Sequence, residues 1–208
     1  MYIPEHFRVR DHGDAVAFMR AHPFVILVSN TTDGPFATHL PVVIREHEDQ
    51  LILRGHVAKA NPHWRYLQDD ATCLAIFHGP HAYVSPTNYT TVENVPTWNY
   101  GAVHAYGNAK VFPAPKDLLS ILQELIPTFE AAYVEQWEGL NQAYRDRMLS
   151  HIVGFEIAVT KLDAKFKLSQ NRTQEEQQHV IESLRASSDT AISGTARLMC
   201  ELGLGTKK

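Results

Sequence analysis

Apolar stretches separated by turn residues in the first part of the chain predict several short strands. Residues 24–30, 36–44 and 50–56 each carry a strand pattern, and turn residues fill the gaps between them. Connections this short favour an antiparallel meander. An amphipathic stretch at residues 12–22 precedes the strands and predicts a helix that ends before Pro23.

The middle of the chain continues the strand pattern around one short helix. Asn61 is a good N-cap and Pro62 suits a first helical position, so a helix is predicted to begin there. The segments TCLAIFHGP and HAYVSP predict a strand with a bent continuation, and residues 102–112 alternate like another strand. Residues 86–100 between them predict a long, aromatic-rich loop. With a closing strand at 152–161, the chain carries about six strands, which favours a small barrel.

Helical spacing appears in the later part of the chain. Apolar residues recur every three or four positions after Pro115, and residues 140–150 form a second helical stretch. Thr173 and Glu176 form a capping-box pattern that starts another helix. A last helix is predicted at about 189–202.

The predicted organisation is one β-barrel domain at residues 1–172, followed by a helical C-terminal tail at residues 173–208. The 208 residues are 44% hydrophobic and 20% charged, which is ordinary for a globular protein with one sizeable core. Cys73 and Cys200 lack metal or redox spacing, so both are expected to be free thiols in a reducing compartment.

Charge and hydropathy limit the partners of the chain. Its formal net charge of −4 gives no general attraction to polyanions, so DNA binding would require a local basic patch. Every apolar run falls well short of the roughly 20 residues that span a bilayer. The first ten residues lack the apolar core of a signal peptide. We therefore expect a soluble, cytoplasmic protein without a membrane partner.

The segment GHVAKANP (55–62) is a candidate anion site. A strand ends, a helix begins at Asn61, and Lys59 adds a positive charge beside the exposed N–H groups of the helix start. This combination suits a phosphate group. The alternative is an ordinary strand-to-helix turn that carries a solvated lysine.

Aromatic residues and histidines form two further candidates. Trp98, Tyr100, His104 and Tyr106 lie within nine positions and could stack on a flat ligand, or they could simply pack the loop against the barrel. The nearby pair His78 and His81 could suggest a metal. Because no thiol or carboxylate cluster accompanies the pair, hydrogen-bonded imidazoles are expected and a metal is not.

A polar hexad at residues 167–172 follows the last predicted strand. If the strand continued, every second side chain would face one side. That side would carry Lys165, Lys167, Ser169 and Asn171, and the other side would carry Gln170 and Arg172. Two lysines, a hydroxyl and an amide form a wall suited to an anion or polar ligand. The alternative is a solvated edge strand that its lysines protect from aggregation.

Five segments together resemble one known family. They are ATHLP (37–41), GHVAKANPHW (55–64), FHGPHAYVSP (77–86), VPTWNYGAVHAYG (95–107) and GFEIAVTKLDAKFKLSQNR (154–172). The family is PaiB, described as FMN-binding negative transcriptional regulators built on the flavin-binding split barrel. The resemblance runs from residue 1 to at least residue 184. One departure is Asn88, which stands before Tyr89 where the family commonly has a tryptophan.

The resemblance implies a mainly β (α+β) fold, a six-stranded antiparallel split β-barrel with peripheral helices and a short helical tail. It also implies a homodimer with FMN in clefts between the subunits. By analogy, the phosphate would lie near Lys59 and the helix start, the flavin ring near Trp98 and His104, and the hexad would line the cleft or lock the dimer. The implied cofactor-binding residues are His56, Lys59, Asn61, Trp98, Asn99, His104, Lys167, Ser169, Gln170 and Arg172.

The function implied by the resemblance is a negative transcriptional regulator with DNA as a possible partner. The two tail helices could mimic a helix-turn-helix, but residues 173–202 carry five acidic residues against two arginines, which suits DNA poorly. The alternative is a flavin-dependent oxidoreductase or haem-handling enzyme that acts on a small molecule, with His104 or Tyr100 as proton donor. A third alternative is a structural dimer whose cofactor site has decayed. No catalytic constellation is predicted.

Overall fold

A computed structural model describes residues 1–48, 50–68 and 70–206 of the chain. The strands are β1 (Phe24–Thr31), β2 (Gly34–Pro41), β3 (Val43–His47), β4 (Gln50–Ala58), β5 (Thr72–Val84), β6 (Thr97–Phe112) and β7 (Ile152–Lys167). The α-helices are α1 (His12–Ala21), α2 (Pro115–Phe129), α3 (Tyr133–Gly139), α4 (Gln142–Leu149), α5 (Gln174–Arg185) and α6 (Thr190–Glu201). Short 3-10 helices lie at Glu5–Phe7, Pro62–Leu67 and Pro86–Asn88.

The described strands form one antiparallel sheet in the order β2-β1-β5-β6-β7-β4-β3. The β1–β2 pair runs in register from Phe24 opposite Pro41 to Thr31 opposite Gly34. This pair and the β3–β4 pair join strands that are neighbours in sequence, as short turns dictate. The predicted antiparallel α+β class is confirmed, whereas the predicted number of six strands is wrong, because the described residues form seven.

The extra strand arises because the strand predicted at residues 36–44 is divided in two. The N–H of Val42 donates to the carbonyl of Pro23 at 2.9 Å in the register of β1 and β2, but Pro23 has no N–H to donate in return, so the paired ladder stops there. The strand therefore ends at Pro41, and β3 begins at Val43.

Two later strands are longer than their alternation indicated. β6 begins at Thr97, inside the predicted loop 86–100, and β7 continues past residue 161 to Lys167. α4 confirms the helix predicted at 140–150, and α3 is an additional helix before it. Within the described part of the chain, every helix is too short or too polar to cross a bilayer.

Residues 1–18, 78–103 and from 163 onward form one compact unit, here called the first unit. It contains α1 up to Phe18, the ends of the long strands and both tail helices. The rings of Phe18 and Phe166 lie 5.0 Å apart in its core. The apolar face of α5 is buried in the same unit, so the tail helices are part of a packed core.

Residues 19–77 and 104–162 form the second unit. Its core contains the fully buried Leu27, Leu53 and Phe155 from three strands, and a face of α2 is buried with it. Close strand contact is also enforced by a glycine in β6. A Cβ atom at Gly107 would lie 2.3 Å from the carbonyl oxygen of Ala158, so no larger residue fits there without moving the backbone.

A buried arginine is neutralised inside the second unit. Arg54 is 6% exposed, and its Nε lies 2.7 Å from a carboxylate oxygen of Glu156. One terminal nitrogen of Arg54 donates to Glu124, and the other donates to the hydroxyl of Ser120 at 3.0 Å. The guanidinium charge is therefore paired and hydrogen-bonded, which burial requires.

Candidate functional site

Four of the predicted cofactor residues lie in the second unit, and two of them, His56 and Lys59, have polar groups that could bind a ligand. His56 is on β4, and its Nδ1 is buried without a hydrogen-bond partner among the described residues. Burial lowers the pKa of His56, which keeps the imidazole neutral. Lys59 follows the end of the strand and is exposed, while its backbone N–H donates to the carbonyl of His151 at 2.7 Å. The end of β4 therefore carries an imidazole nitrogen without a hydrogen-bond partner among the described residues and, three positions later, an exposed ammonium group.

Asn61, in contrast, is already occupied. Its side-chain oxygen accepts from the N–H of His63 at 3.0 Å, which caps the 3-10 helix Pro62–Leu67 as predicted from the sequence. Its Nδ2 donates to the hydroxyl of Thr38 at 3.1 Å. Asn61 fixes the turn that presents Lys59, and the second N–H of its Nδ2 is the one donor that its side chain could still offer a phosphate.

His63 forms a buried polar cluster that the sequence did not indicate. Its Nδ1 lies 2.7 Å from the hydroxyl of Thr38, and its Nε2 lies 3.1 Å from the hydroxyl of Ser29. The ring is fully buried, and burial lowers its pKa to about 4. The partners come from β1 and β2, far away in sequence, so no local pattern signals this cluster.

His104, the fourth predicted residue of this unit, is on β6. Its ring centroid lies 6.3 Å from that of Tyr106, with the ring planes at 60°. The ammonium group of Lys161 lies over the ring of Tyr106 at 5.0 Å. His104 is thus part of an aromatic and cationic row along the sheet.

The other predicted residues lie in the first unit, where Trp98 belongs to an exposed aromatic group. Trp98 is 51% exposed, and its ring lies 5.4 Å from His81 and 6.4 Å from Tyr83. His78 lies 5.1 Å from His81, and its pKa is lowered by burial and then by the charge of His81. Among the described residues, no group of three metal-ligating side chains includes this histidine pair. We call His78, His81, Tyr83 and Trp98 the aromatic patch.

Asn99 and Ser169 satisfy each other inside the first unit. Both are buried, and the Nδ2 of Asn99 donates to the hydroxyl of Ser169 at 3.0 Å. Ser169 has a φ of 65°, in the left-handed region, so the chain turns there and the strand ends at Lys167. β7 therefore does not continue through the hexad, and the alternation considered for a continued strand reaches only Lys165 and Lys167.

Two other members of the hexad bond to nearby backbone. Gln170 accepts from the N–H of Leu168 at 2.7 Å and donates to the carbonyl of Phe166 at 2.5 Å. The ammonium group of Lys167 donates to the carbonyl of Trp98 at 2.6 Å and to the hydroxyl of Thr97. The bonds of Lys167 hold the start of β6 against the end of β7, whereas those of Gln170 stabilise the turn that follows β7.

Arg172 completes this arrangement. Its guanidinium donates to the side-chain oxygen of Asn94 at 2.8 Å and lies 3.8 Å from the ring centre of Tyr89. Asn99, Lys167, Ser169 and Arg172 line one cavity of about 220 Å³ within the first unit. Six of the predicted residues therefore belong to the first unit and four to the second. The four are His56, Lys59, Asn61 and His104, and the six are Trp98, Asn99, Lys167, Ser169, Gln170 and Arg172.

Comparison with solved structures shows that this chain shares its fold with proteins whose names record flavin or heme binding. The flavocytochrome Anf3 from Azotobacter vinelandii superposes with a TM-score of 0.59 at 12% identity, covering 79% of this chain and 72% of that one. An FAD and heme binding protein from Mycobacterium smegmatis gives a TM-score of 0.58 at 13% identity, with coverages of 77% and 73%. At these identities the likeness is one of fold.

Sequence comparison gives the family. The family described as "Putative FMN-binding domain" matches residues 1–161. The Bacillus subtilis (strain 168) "Protease synthase and sporulation protein PAI 2" is 36% identical over 201 residues, 96% of each chain. An uncharacterized protein of Emericella nidulans is 29% identical over 213 residues, 87% of this chain and 80% of the relative. The chain belongs to the PaiB family of FMN-binding proteins, so both the resemblance and the predicted cofactor, FMN, are confirmed.

Proposed function

We propose that this protein is a homodimeric transcriptional regulator that binds the phosphate of FMN at the end of β4, through Lys59 and His56. The observation that carries the phosphate assignment is the unpartnered, buried Nδ1 of His56 close in sequence to an exposed lysine. The Bacillus subtilis relative is named "Protease synthase and sporulation protein PAI 2", and that name connects the relative with sporulation, a cellular programme. That name favours regulation over an enzyme activity.

The two side chains suit a phosphate for different reasons. A buried polar atom without a hydrogen bond costs about 1–3 kcal/mol, and a phosphate oxygen would remove that cost at His56. A neutral imidazole donates from one nitrogen, so Nδ1 serves as the donor in the tautomer protonated there. Lys59 adds a compact positive charge and donates from three N–H bonds. Bound FMN itself would supply reversible electron transfer, and these residues would hold and orient it.

We expect Lys59→Ala to weaken FMN binding about tenfold, the effect of losing about 1.4 kcal/mol. Binding of riboflavin, which lacks the phosphate, should hardly change. Fluorescence titration with both ligands measures the difference. Lys116→Ala is the matched control, because Lys116 is an exposed lysine on α2. An equal loss for both ligands, or no loss for FMN, would place the phosphate elsewhere.

The regulatory role is tested by DNA binding. The described tail helices carry more acidic than basic residues, so we expect any DNA contact to use another surface of the homodimer. An electrophoretic mobility shift with the promoter of the protein's own gene, repeated over a salt series, should show a complex that weakens as salt rises. Absence of a shift, together with NAD(P)H-dependent bleaching of bound flavin, would favour the oxidoreductase alternative.

A further inference from the structure

The cavity in the first unit contains more positive charge than the described residues around it neutralise. Lys167 and Arg172 line the cavity, and Lys165 lies two residues before Lys167 on the same strand. Among the described residues, no carboxylate forms an ion pair with any of these three cations. Lys165 is only 7% exposed, and its ammonium group donates to the carbonyl of Tyr2 at 3.4 Å. Buried charges are normally paired, so this excess calls for an anion.

The acidic groups of this region are already engaged. Asp163 forms an ion pair with the N-terminal ammonium group at 2.6 Å. The carboxylate of Glu176 accepts from the N–H and hydroxyl of Thr90 at 3.1 and 3.2 Å and from the N–H of Thr173 at 3.3 Å. Arg172 feels the charge of Glu176, but its own hydrogen bond goes to a neutral amide.

The titration of Lys167 is consistent with uncompensated charge. Its pKa is lowered by burial and, next, by the positive charge of Lys165. A bound anion would oppose both effects, because it would favour the charged form of the ammonium group.

Tyr89 supplies a second, independent observation. It lines the cavity and is 8% exposed, and its hydroxyl is buried without a hydrogen-bond partner among the described residues. A buried tyrosine hydroxyl ordinarily finds a partner. The guanidinium of Arg172 lies over the same ring at 3.8 Å, so a donor hydroxyl and a cation occur together.

We propose that this cavity binds the oxyanion group of a small molecule, a carboxylate or a phosphate, as a ligand separate from the flavin. At about 220 Å³ the cavity is smaller than the roughly 300–1,000 Å³ of pockets that enclose drug-sized ligands, so it suits a head group and not a three-ring flavin. Arg172 and Lys167 would supply the charge, and Tyr89 would donate its hydroxyl. Because the same cations hold Asn94 and Thr97, the ligand would stabilise the start of β6 and the segment that leads into it.

The test uses the FMN-loaded protein titrated with inorganic phosphate and, separately, with acetate, at an ionic strength kept constant with chloride. We expect a saturable rise in Tm and saturable heat in calorimetry with at least one oxyanion, and neither with chloride. Tyr89→Phe should weaken that binding about tenfold, because it removes one hydrogen bond to a charged ligand and keeps the ring. Tyr83→Phe is the control, since Tyr83 is an exposed tyrosine of the same unit.

Arg172→Gln gives a second variant whose folding is checked by circular dichroism in chloride, and it should abolish the response. The proposal is overturned if neither oxyanion raises the Tm more than chloride does. It is also overturned if Tyr89→Phe binds the oxyanion as well as the wild type and the control Tyr83→Phe do. It is also overturned if the oxyanion displaces the flavin absorbance from the protein, since the cavity would then be part of the flavin site. Lys59→Ala should retain the response, so failure of the flavin assignment is distinguishable from failure of this one.

Discussion

His63 is a fully buried imidazole whose two nitrogens both lie within hydrogen-bond distance of hydroxyl groups, those of Thr38 and Ser29. Because neutral hydroxyls surround it, protonation would bury a charge without a counter-ion. The pKa in the folded protein is about 4, below the ordinary value of 6.5. The unfolded chain therefore takes up a proton at a higher pH than the folded chain does, and acid favours unfolding.

Above about pH 6.5 His63 is neutral in both the folded and the unfolded chain, and it does not lower the free energy of unfolding. We expect that free energy to fall as the pH drops from about 6.5 towards about 4. The full contribution is up to about 3 kcal/mol, from about 1.36 kcal/mol for each unit of pKa difference. Urea unfolding over this range should give a shallower pH dependence for His63→Gln than for the wild type. His12→Gln, at an exposed position, is the control. Parallel curves for His63→Gln and the wild type would contradict the assignment.

At the scale of elements, the first turn of α5 is tied to the segment before β6 by one carboxylate. Glu176 closes the capping box with Thr173 and also accepts two hydrogen bonds from Thr90. Burial raises its pKa, but the hydrogen bonds from Thr90 and Thr173 and the charge of Arg172 outweigh burial and lower the pKa overall. Glutamate at a helix start is usually exposed to solvent, but here the buried Glu176 joins α5 to the segment before β6 by hydrogen bonds.

Glu176→Ala should therefore destabilise the protein by about 2–3 kcal/mol, because it removes hydrogen bonds to a charged group and leaves the N–H of Thr90 without its acceptor. Glu175→Ala, one position earlier and exposed, should change stability by less than about 0.5 kcal/mol. Urea midpoints of the two variants give the comparison. Similar midpoints would show that Glu176 acts only as an ordinary helix-start acid.

At the scale of the whole molecule, the aromatic patch leaves large apolar rings exposed to solvent. Trp98 and Tyr83 are each 51% exposed and lie side by side. Exposed clusters of this kind mark contact surfaces, and tryptophan and tyrosine are enriched at the centres of protein interfaces. We expect a second copy of the chain to cover this patch in the proposed homodimer.

Trp98→Ala combined with Tyr83→Ala should weaken dimerisation at least about tenfold, the effect expected for losing an interface hot spot. Light scattering coupled to size-exclusion chromatography over a dilution series measures the shift. Val92→Ala is a control, because Val92 is almost fully exposed in the same unit outside the patch. A wild-type protein that stays monomeric at high concentration would refute the homodimer itself.

Local sequence patterns predicted most elements because those signals are short-range. The apolar runs of β1 and β4, the Asn61 cap and the Thr173–Glu176 capping box each depend on residues a few positions apart. The break at Val42 depends on Pro23, which lies far back in the chain. Hydrophobic periodicity therefore could not predict which residues pair with each other across the sheet.

The sequence pointed to polar and charged residues as candidates for the site, but it did not show which of them contact each other. Asn99 and Ser169 were grouped as ligand-facing polar residues, but they lie seventy positions apart and bond to each other. The turn at Ser169 requires a left-handed φ, which a serine in an alternating pattern does not signal. Lys59, Lys167 and Arg172 were identified because the sequence shows which side chains are charged. The sequence does not show which groups form hydrogen bonds or ion pairs with them.

The first unit is assembled from three separate stretches of the chain, and the second from two. No continuous piece of the gene therefore encodes one complete unit without also encoding part of the other. Recombination that moves a complete unit from one gene to another must carry part of the second unit with it.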